Sequence, residues 1–313
     1  MDIRFAPMEG LTDAVYRRIH HRHFAGVDRY YMPFVSPTQE HVFTARELRG
    51  IAPENNQGVP VVPQVLAKDA EHFLWAAGAL RDMGYDEVNL NMGCPSGTVT
   101  AKGKGSGMLR EPDATRAFLD VIFARSPLPV SVKTRIGFES AEEWPALLDM
   151  LSGYPLRELI IHPRVRRQFY KGMPDREAFA LTARRDLPLV YNGDLFTAGD
   201  CLALQAEYPQ MPMMLGRALV ANPALAQELK GGEGLTHAAL RAFHDELEDA
   251  YRSLYPRDQV HMRMRGVMKH VACCFERPEK MVKLVAKSNP WTYREAIDKL
   301  LQTPLRESPG FLP

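Results

Sequence analysis

Cysteine is scarce in this chain: Cys94, Cys201, Cys273 and Cys274 are the only four among 313 residues, and no C-x-x-C pair occurs. A disulfide scaffold and a structural zinc site therefore lack their ligands. Long apolar runs are missing too, as is a basic start followed by an apolar stretch. Neither a membrane span nor a secretory leader is expected, and the cytoplasm is the expected compartment. No low-complexity tract is present, and 45% hydrophobic with 25% charged residues is an ordinary globular composition, which excludes disordered and fibrous classes. Neither sign of charge dominates, since the net charge is +1. The distribution is uneven, however: residues 261–287 carry seven Lys and Arg against two Asp and Glu. Such a run suits a phosphate backbone or merely a solvated helix face, and charge does not choose between them.

Short β-rich runs recur along the chain at 2–6, 28–32, 61–66, 87–91, 130–134, 158–162, 189–192 and 213–216. Helical periodicity lies between most of them, including 70–83, 112–125, 142–151 and 198–208. Eight β/α units in this length predict an α/β fold, a (β/α)8 TIM barrel with a parallel sheet. An open doubly wound sheet is the runner-up, but its dinucleotide fingerprint is missing: Gly103, Gly105 and Gly107 give G-x-G-x-G after a long loop. A Walker A loop is absent as well. After the Gly-rich break at 231–234, apolar residues recur at helical spacing through Leu240, Phe243, Leu247, Ala250 and Leu254, then through Val267, Val271 and Phe275. The predicted organisation is a barrel over 1–236 and a small helical domain over 237–313.

Barrel chemistry sits at the C-terminal ends of the strands, and those ends are polar here. They carry Ala6-Pro7-Met8, Gln64, Asn91 with Cys94, Lys133 with Arg135, His162 with Arg164, Asn192-Gly193-Asp194, and Gly216-Arg217. Strand alternation puts Ser131, Lys133 and Arg135 on one face. A lysine inside a barrel meets a ligand or an internal acid, because an unpaired buried ammonium is costly. His162 fits a satisfied core histidine as well as a ligand contact, and Arg164, Arg166 and Arg167 fit a solvated charge run. Glycines after the seventh and eighth strands, with Arg217 beside them, match a barrel phosphate site. Cys94 is either a small buried hydrophobe or an acid or nucleophile. The stretch 95–107 that follows it is rich in Gly, Ser, Thr and Lys, and predicts a surface loop or a lid.

Together these motifs resemble the tRNA-dihydrouridine synthases, flavoenzymes built from a barrel and a C-terminal helical domain. The resemblance rests on Ala6-Pro7-Met8 with Gly10 and Asp13, on Asn91-x-Gly93-Cys94-Pro95-Ser96, on the glycine-rich loop through Gly107, and on Lys133-x-Arg135-x-Gly137. It implies that Ala6, Pro7 and Met8, with Gln64, Lys133 and His162, hold the isoalloxazine ring of FMN. It implies that Asn192, Gly193, Asp194, Gly216 and Arg217 take the FMN phosphate, that Asn91, Arg135 and Arg164 face the target uracil, and that Cys94 is the general acid. NADPH or NADH is the implied reductant and tRNA the implied partner; a monomer is expected. Three positions depart from the family pattern, with Pro163, Ala67 and Ala218 where glycine is common. Pro163 has no N–H to donate. An FMN-dependent reductase or dehydrogenase of a free pyrimidine could share the barrel, phosphate site and loop cysteine, and a non-catalytic RNA-binding barrel is a third reading; the basic helical tail argues for tRNA over the free base.

Overall fold

The computed structural model describes residues 1–313. Eight short parallel strands form a ring: β1 Ile3–Phe5, β2 Arg29–Tyr31, β3 in two pieces (Val61–Val62 and Gln64–Val65), β4 Val88–Met92, β5 Val130–Arg135, β6 Leu159–His162, β7 Leu189–Tyr191 and β8 Met213–Leu215. Consecutive strands pair, and β8 returns to pair with β1. Pro63 interrupts β3 because it brings no N–H to the ladder. The first piece pairs with β2 and the second with β4, so the ring closes through the break. The barrel expected from the sequence is thus observed, with strand ends displaced by about a residue. A closed ring excludes the doubly wound alternative, which has two free edges.

Helices pack around the ring in chain order: α1 Ala14–His23, α2 Ala45–Ile51, α3 Ala70–Asp82, α4 Gly97–Thr100, α5 Pro112–Arg125, α6 Trp144–Ser152, α7 Arg176–Ala183, α8 Ala198–Glu207, α9 Arg217–Ala221 and α10 Leu225–Leu229. The four helices predicted by periodicity are α3, α5, α6 and α8. Helix α1 escapes a periodicity reading because six of its ten residues are Arg or His, yet it buries Tyr16, Ile19 and His20. Its start is fixed by Asp13, whose carboxylate accepts the Tyr16 N–H at 3.0 Å.

Beyond Thr236, which caps the next helix, come α11 His237–Arg252, α12 Arg257–Val271, α13 Pro278–Lys287 and α14 Tyr293–Leu301. Phe275, read from the sequence as part of the second helical pattern, lies past the end of α12 and bridges to Leu305. Phe243 of α11 packs edge-on against Tyr16 at 5.8 Å and Phe24 at 5.4 Å. One hydrophobic core therefore runs from the barrel into the tail. The final residues turn back to the barrel, where Phe311 donates its N–H to Phe196 O and its ring lies tilted against that of Phe196 at 5.3 Å. No helix is long and apolar enough to cross a membrane.

Charged residues plug the foot of the barrel. Arg4 pairs with Asp2 at 2.9 Å and with Glu158, Arg29 pairs with Glu87 at 2.7 Å, and Tyr31 donates to Glu158 at 2.6 Å. From Glu87 a hydrogen-bonded chain climbs the lumen. Ser131 Oγ donates to Glu87 at 2.6 Å, Asn89 to Ser131 at 2.9 Å, Gln64 to Asn89 at 2.7 Å and Asn91 to Gln64 at 2.7 Å.

Candidate active site

The top of that chain shapes the turn that presents Cys94. Asn91 Oδ1 accepts the N–H groups of Gly93 at 3.1 Å and Cys94 at 2.9 Å. The structure thus gives Asn91 a positioning task, with one amide hydrogen left over for a substrate. Gln64 is likewise engaged at both ends within the lumen and fully buried. Of the surface loop and the lid that its composition allowed after Cys94, the chain does not form the bare surface loop. It folds into α4 and a buried 3-10 turn over Gly105–Arg110. Gly105 has φ +58°, and a Cβ there would lie 2.9 Å from Cys94 O, so only glycine lets the loop close on the cysteine. Ser106 then donates to Cys94 O through both its N–H and its hydroxyl, at 3.1 and 2.8 Å.

Cys94 is half-buried, and burial pushes its thiol above the ordinary value despite the nearby Arg135 and Lys133 cations. It therefore remains protonated at neutral pH, the state an acid needs. Lys133 stands in the same mouth, on the strand next to Asn91. It has no acidic partner; burial, reinforced by Arg135, lowers its amine to about 7. The internal salt bridge weighed for Lys133 is absent.

Arg135 and Arg164 are almost wholly inside the protein. Arg135 donates to the carbonyls of Gly93, Val165 and Phe169, at 3.0, 3.0 and 2.6 Å, and so ties the Cys94 turn to the loop after β6. Arg164 is no solvated charge: it donates to Asp194 at 2.8 Å, to Gly172 O at 2.5 Å and to His162 Nε2 at 3.1 Å. His162 is buried among Arg135, Lys133, Arg164 and Arg217, and desolvation with that positive field holds its pKa well below the ordinary value. It is a neutral imidazole at physiological pH.

At the β7 and β8 ends, Asn192 donates its amide to Met214 O at 2.8 Å, which binds the two strand ends together. Gly193 lies against the Tyr191 hydroxyl, where a Cβ would come within 2.2 Å. Gly216 faces Ala6 and Met8, bringing the β8 end against the β1 end. Arg217 donates to Asp194 at 2.9 Å and sits about 5 Å from the rings of Tyr170, Phe196 and Phe311. A carboxylate repels phosphate, so the side chain of Asp194 is an aiming group for Arg217 and Arg164 rather than an anion ligand. The β1 end has no spare donor: Ala6 N–H goes to Leu215 O, Met8 N–H to Thr12 Oγ1, and Pro7 has none. Ala6, Pro7 and Met8 are left to offer acceptors and an apolar wall.

Tyr170 was not singled out by the sequence, yet its ring lies 6.0 Å from that of His162 and over the Arg135 guanidinium at 5.6 Å. Nothing periodic surrounds it in the loop after β6, so only the fold reveals it. Phe196 and Phe311 were missed for the same reason, since their contact with Arg217 joins segments far apart in the chain.

Four cations, Lys133, Arg135, Arg164 and Arg217, thus converge on one mouth against the single carboxylate of Asp194. An anionic, partly planar ligand fits this donor set, with the unpaired Lys133 as the clearest sign. Solved structures share the architecture. Morphinone reductase superposes with TM-score 0.53 at 14% identity over 74% of this chain and 86% of its own. An old yellow enzyme homologue from Zymomonas mobilis gives 0.55 at 13%, over 75% and 89%. At such identity the likeness is one of fold. The fold and the site together define a (β/α)8 barrel with a cationic mouth at the C-terminal ends of its strands. The dihydrouridine synthase (Dus) family matches residues 4–303, and the chain belongs to that family. A probable tRNA-dihydrouridine synthase 1 of Synechocystis sp. is 30% identical over 72% of this chain, although the match spans only 63% of that relative. Probable tRNA-dihydrouridine synthases of Bacillus subtilis and Rhodobacter capsulatus are each 29% identical, over 79% and 86% of this chain and 78% and 84% of theirs.

Proposed function

We propose that the protein is a tRNA-dihydrouridine synthase, reducing the C5–C6 double bond of a uridine in tRNA. The observation that carries the reading is the protonated thiol of Cys94, fixed by Asn91, Gly105 and Ser106 beside the unpaired Lys133. FMN held in the mouth would supply the hydride for uracil C6, with NADPH or NADH as the source of its electrons. Cys94 gives its proton to C5, and the resulting thiolate, near Lys133 and Arg135, regains a proton from solvent. Lys133 would neutralise negative charge on the flavin, His162 would serve as a neutral hydrogen-bonding partner, and Arg217 with the N–H groups around Gly193 and Gly216 would hold the phosphate. Arg135 and Arg164 hold the mouth rigid around the base, which must leave its stack to lie there.

The reading extends to residues 237–313 as the part that meets tRNA. Lys280, Lys283 and Lys287 line one groove with Lys299 of α14, a positive face suited to phosphates. Lys269 is exposed, and Arg265 is half-buried. Arg263 turns to the barrel and pairs with Asp13 at 2.8 Å, so it is withdrawn from the set expected to reach solvent. The likeness to probable tRNA-dihydrouridine synthases supports tRNA over a free pyrimidine. Nucleoside mass spectrometry of tRNA from a deletion strain is the test: loss of dihydrouridine at one position is expected, and an unchanged complement overturns the reading.

A further inference from the structure

Beside the mouth, between α1, α2, the β2 end and the helical tail, lies a cavity of about 400 Å³. That is the size range of small-molecule sites. It opens next to the reaction centre: Glu9 and Gly10, which follow Met8, form part of its wall, and the Glu9 carboxylate is among the charges felt by Cys94.

The acids of this cavity are all engaged. Glu9 pairs with Arg46. Asp13 accepts from Tyr16 N–H, the Tyr251 hydroxyl and Arg263, each near 3 Å. Glu47 caps α2 and accepts the N–H of Ser36 at 2.7 Å. Arg18 on α1 and Arg49 on α2 also line the space, and neither has an acidic partner within ion-pair distance. The wall also holds Tyr255, whose ring carries the Arg263 guanidinium 4.1 Å from its centre, together with Phe34 and Ser253. Free guanidinium groups and aromatic rings lining one cavity are the chemistry that single-stranded nucleic acid selects: cations for the phosphate and a π-face for the base.

We propose that this cavity is a nucleotide subsite, in which Arg18 and Arg49 hold the phosphate and Tyr255 and Phe34 the base of a tRNA residue flanking the target uridine. The inference rests on the tRNA reading above and deepens it. Holding a neighbour locks the backbone on one side of the flipped base, so the subsite contributes to which uridine reaches Cys94.

The test compares full-length flavin-loaded protein with its Arg18→Ala/Arg49→Ala variant, using an unmodified tRNA transcript over a range of salt. Because neither arginine has an acidic partner, the double change leaves no buried acid stranded. A 10- to 100-fold weaker Kd is expected, with a log–log salt slope shallower by about 1.4 to 1.8, two phosphate contacts' worth. An unchanged Kd and slope overturns the proposal. Ser253→Trp, which fills the space without altering charge, should raise the KM for tRNA at least tenfold and leave the slope alone; a wild-type KM would reduce the cavity to diffuse attraction and refute the subsite. NADPH oxidation with an artificial acceptor separates the other source of a nucleotide. Its KM should be unchanged in both variants, and a rise there with normal tRNA binding assigns the cavity to the dinucleotide and overturns the proposal. If the wild-type protein binds tRNA yet reduces no uridine, the functional reading fails while the variant's Kd still decides the cavity.

Discussion

The two ends of the barrel lumen differ in their charge accounts. At the foot, Arg4, Arg29 and Arg157 face Asp2, Glu87 and Glu158, and every acid has a basic partner. At the mouth, four cations face Asp194 alone. Each end has a buried centre, Arg4, Glu87 and Glu158 at the foot and Arg135 and Arg164 at the mouth, so the difference is not one of burial alone. A neutralised cluster closes a fold, whereas a buried excess of one sign marks where a counter-charged ligand belongs.

Breaking the chemistry of the mouth should give the largest effect. Cys94→Ala is expected to lower tRNA reduction by about two to four orders of magnitude, the usual worth of a positioned acid, while flavin content and NADPH oxidation by an artificial acceptor stay near wild type. Stopped-flow comparison of the two half-reactions checks this, and equal losses in both would make the cysteine structural. At the foot the change should appear in stability instead. Glu158→Ala leaves the buried Arg4 without its main partner and should destabilise the fold by about 3–5 kcal/mol in urea, with flavin affinity in the folded fraction unaltered.

Arg217→Ala should loosen FMN by about 1.5–3 kcal/mol, the range for a hydrogen bond to a charged group. Equilibrium dialysis measures it, and undiminished retention would show that the phosphate lies elsewhere. The smallest effect concerns pH. Lys133 falls from 10.5 to about 7 in the folded protein, so between those values the unfolded chain binds a proton that the folded apoprotein does not. Apoprotein stability should therefore rise as pH climbs from about 7 towards 10.5. Lys133→Met should remove that part of the slope, and an anionic ligand should suppress it by restoring the lysine's proton, as melting curves with and without FMN would record.

The barrel was legible because each strand is a compact β-rich run whose register needs no distant information. The mouth residues were legible as candidates for the same reason, being strand ends. Their partners were not. Arg164 looked like part of a solvated run because Asp194, which buries it, comes thirty residues later. The segment after Cys94 looked like a bare loop because composition does not report the close approach of Gly105 to Cys94. Helix α1 was hidden by its Arg and His residues, of which His20 packs edge-on against Phe243 in the tail. That shared core also bears on a truncation near residue 234: it would strip Phe243 from α1 and Phe311 from Arg217, so it tests more than tRNA contact.

The chain of side chains rising through the lumen has a sense of travel. From the Cys94 and Gly93 amides to Asn91, Gln64, Asn89, Ser131 and finally Glu87, every donor points downward. The anion at the bottom therefore acts as the anchor of a polarity that each amide passes upward, strengthening the next bond. Reversing any one link would set two acceptors or two donors face to face somewhere along the line. The orientation of the turn that carries the Cys94 thiol is in this way decided at the opposite end of the barrel, by the Glu87 carboxylate at its foot.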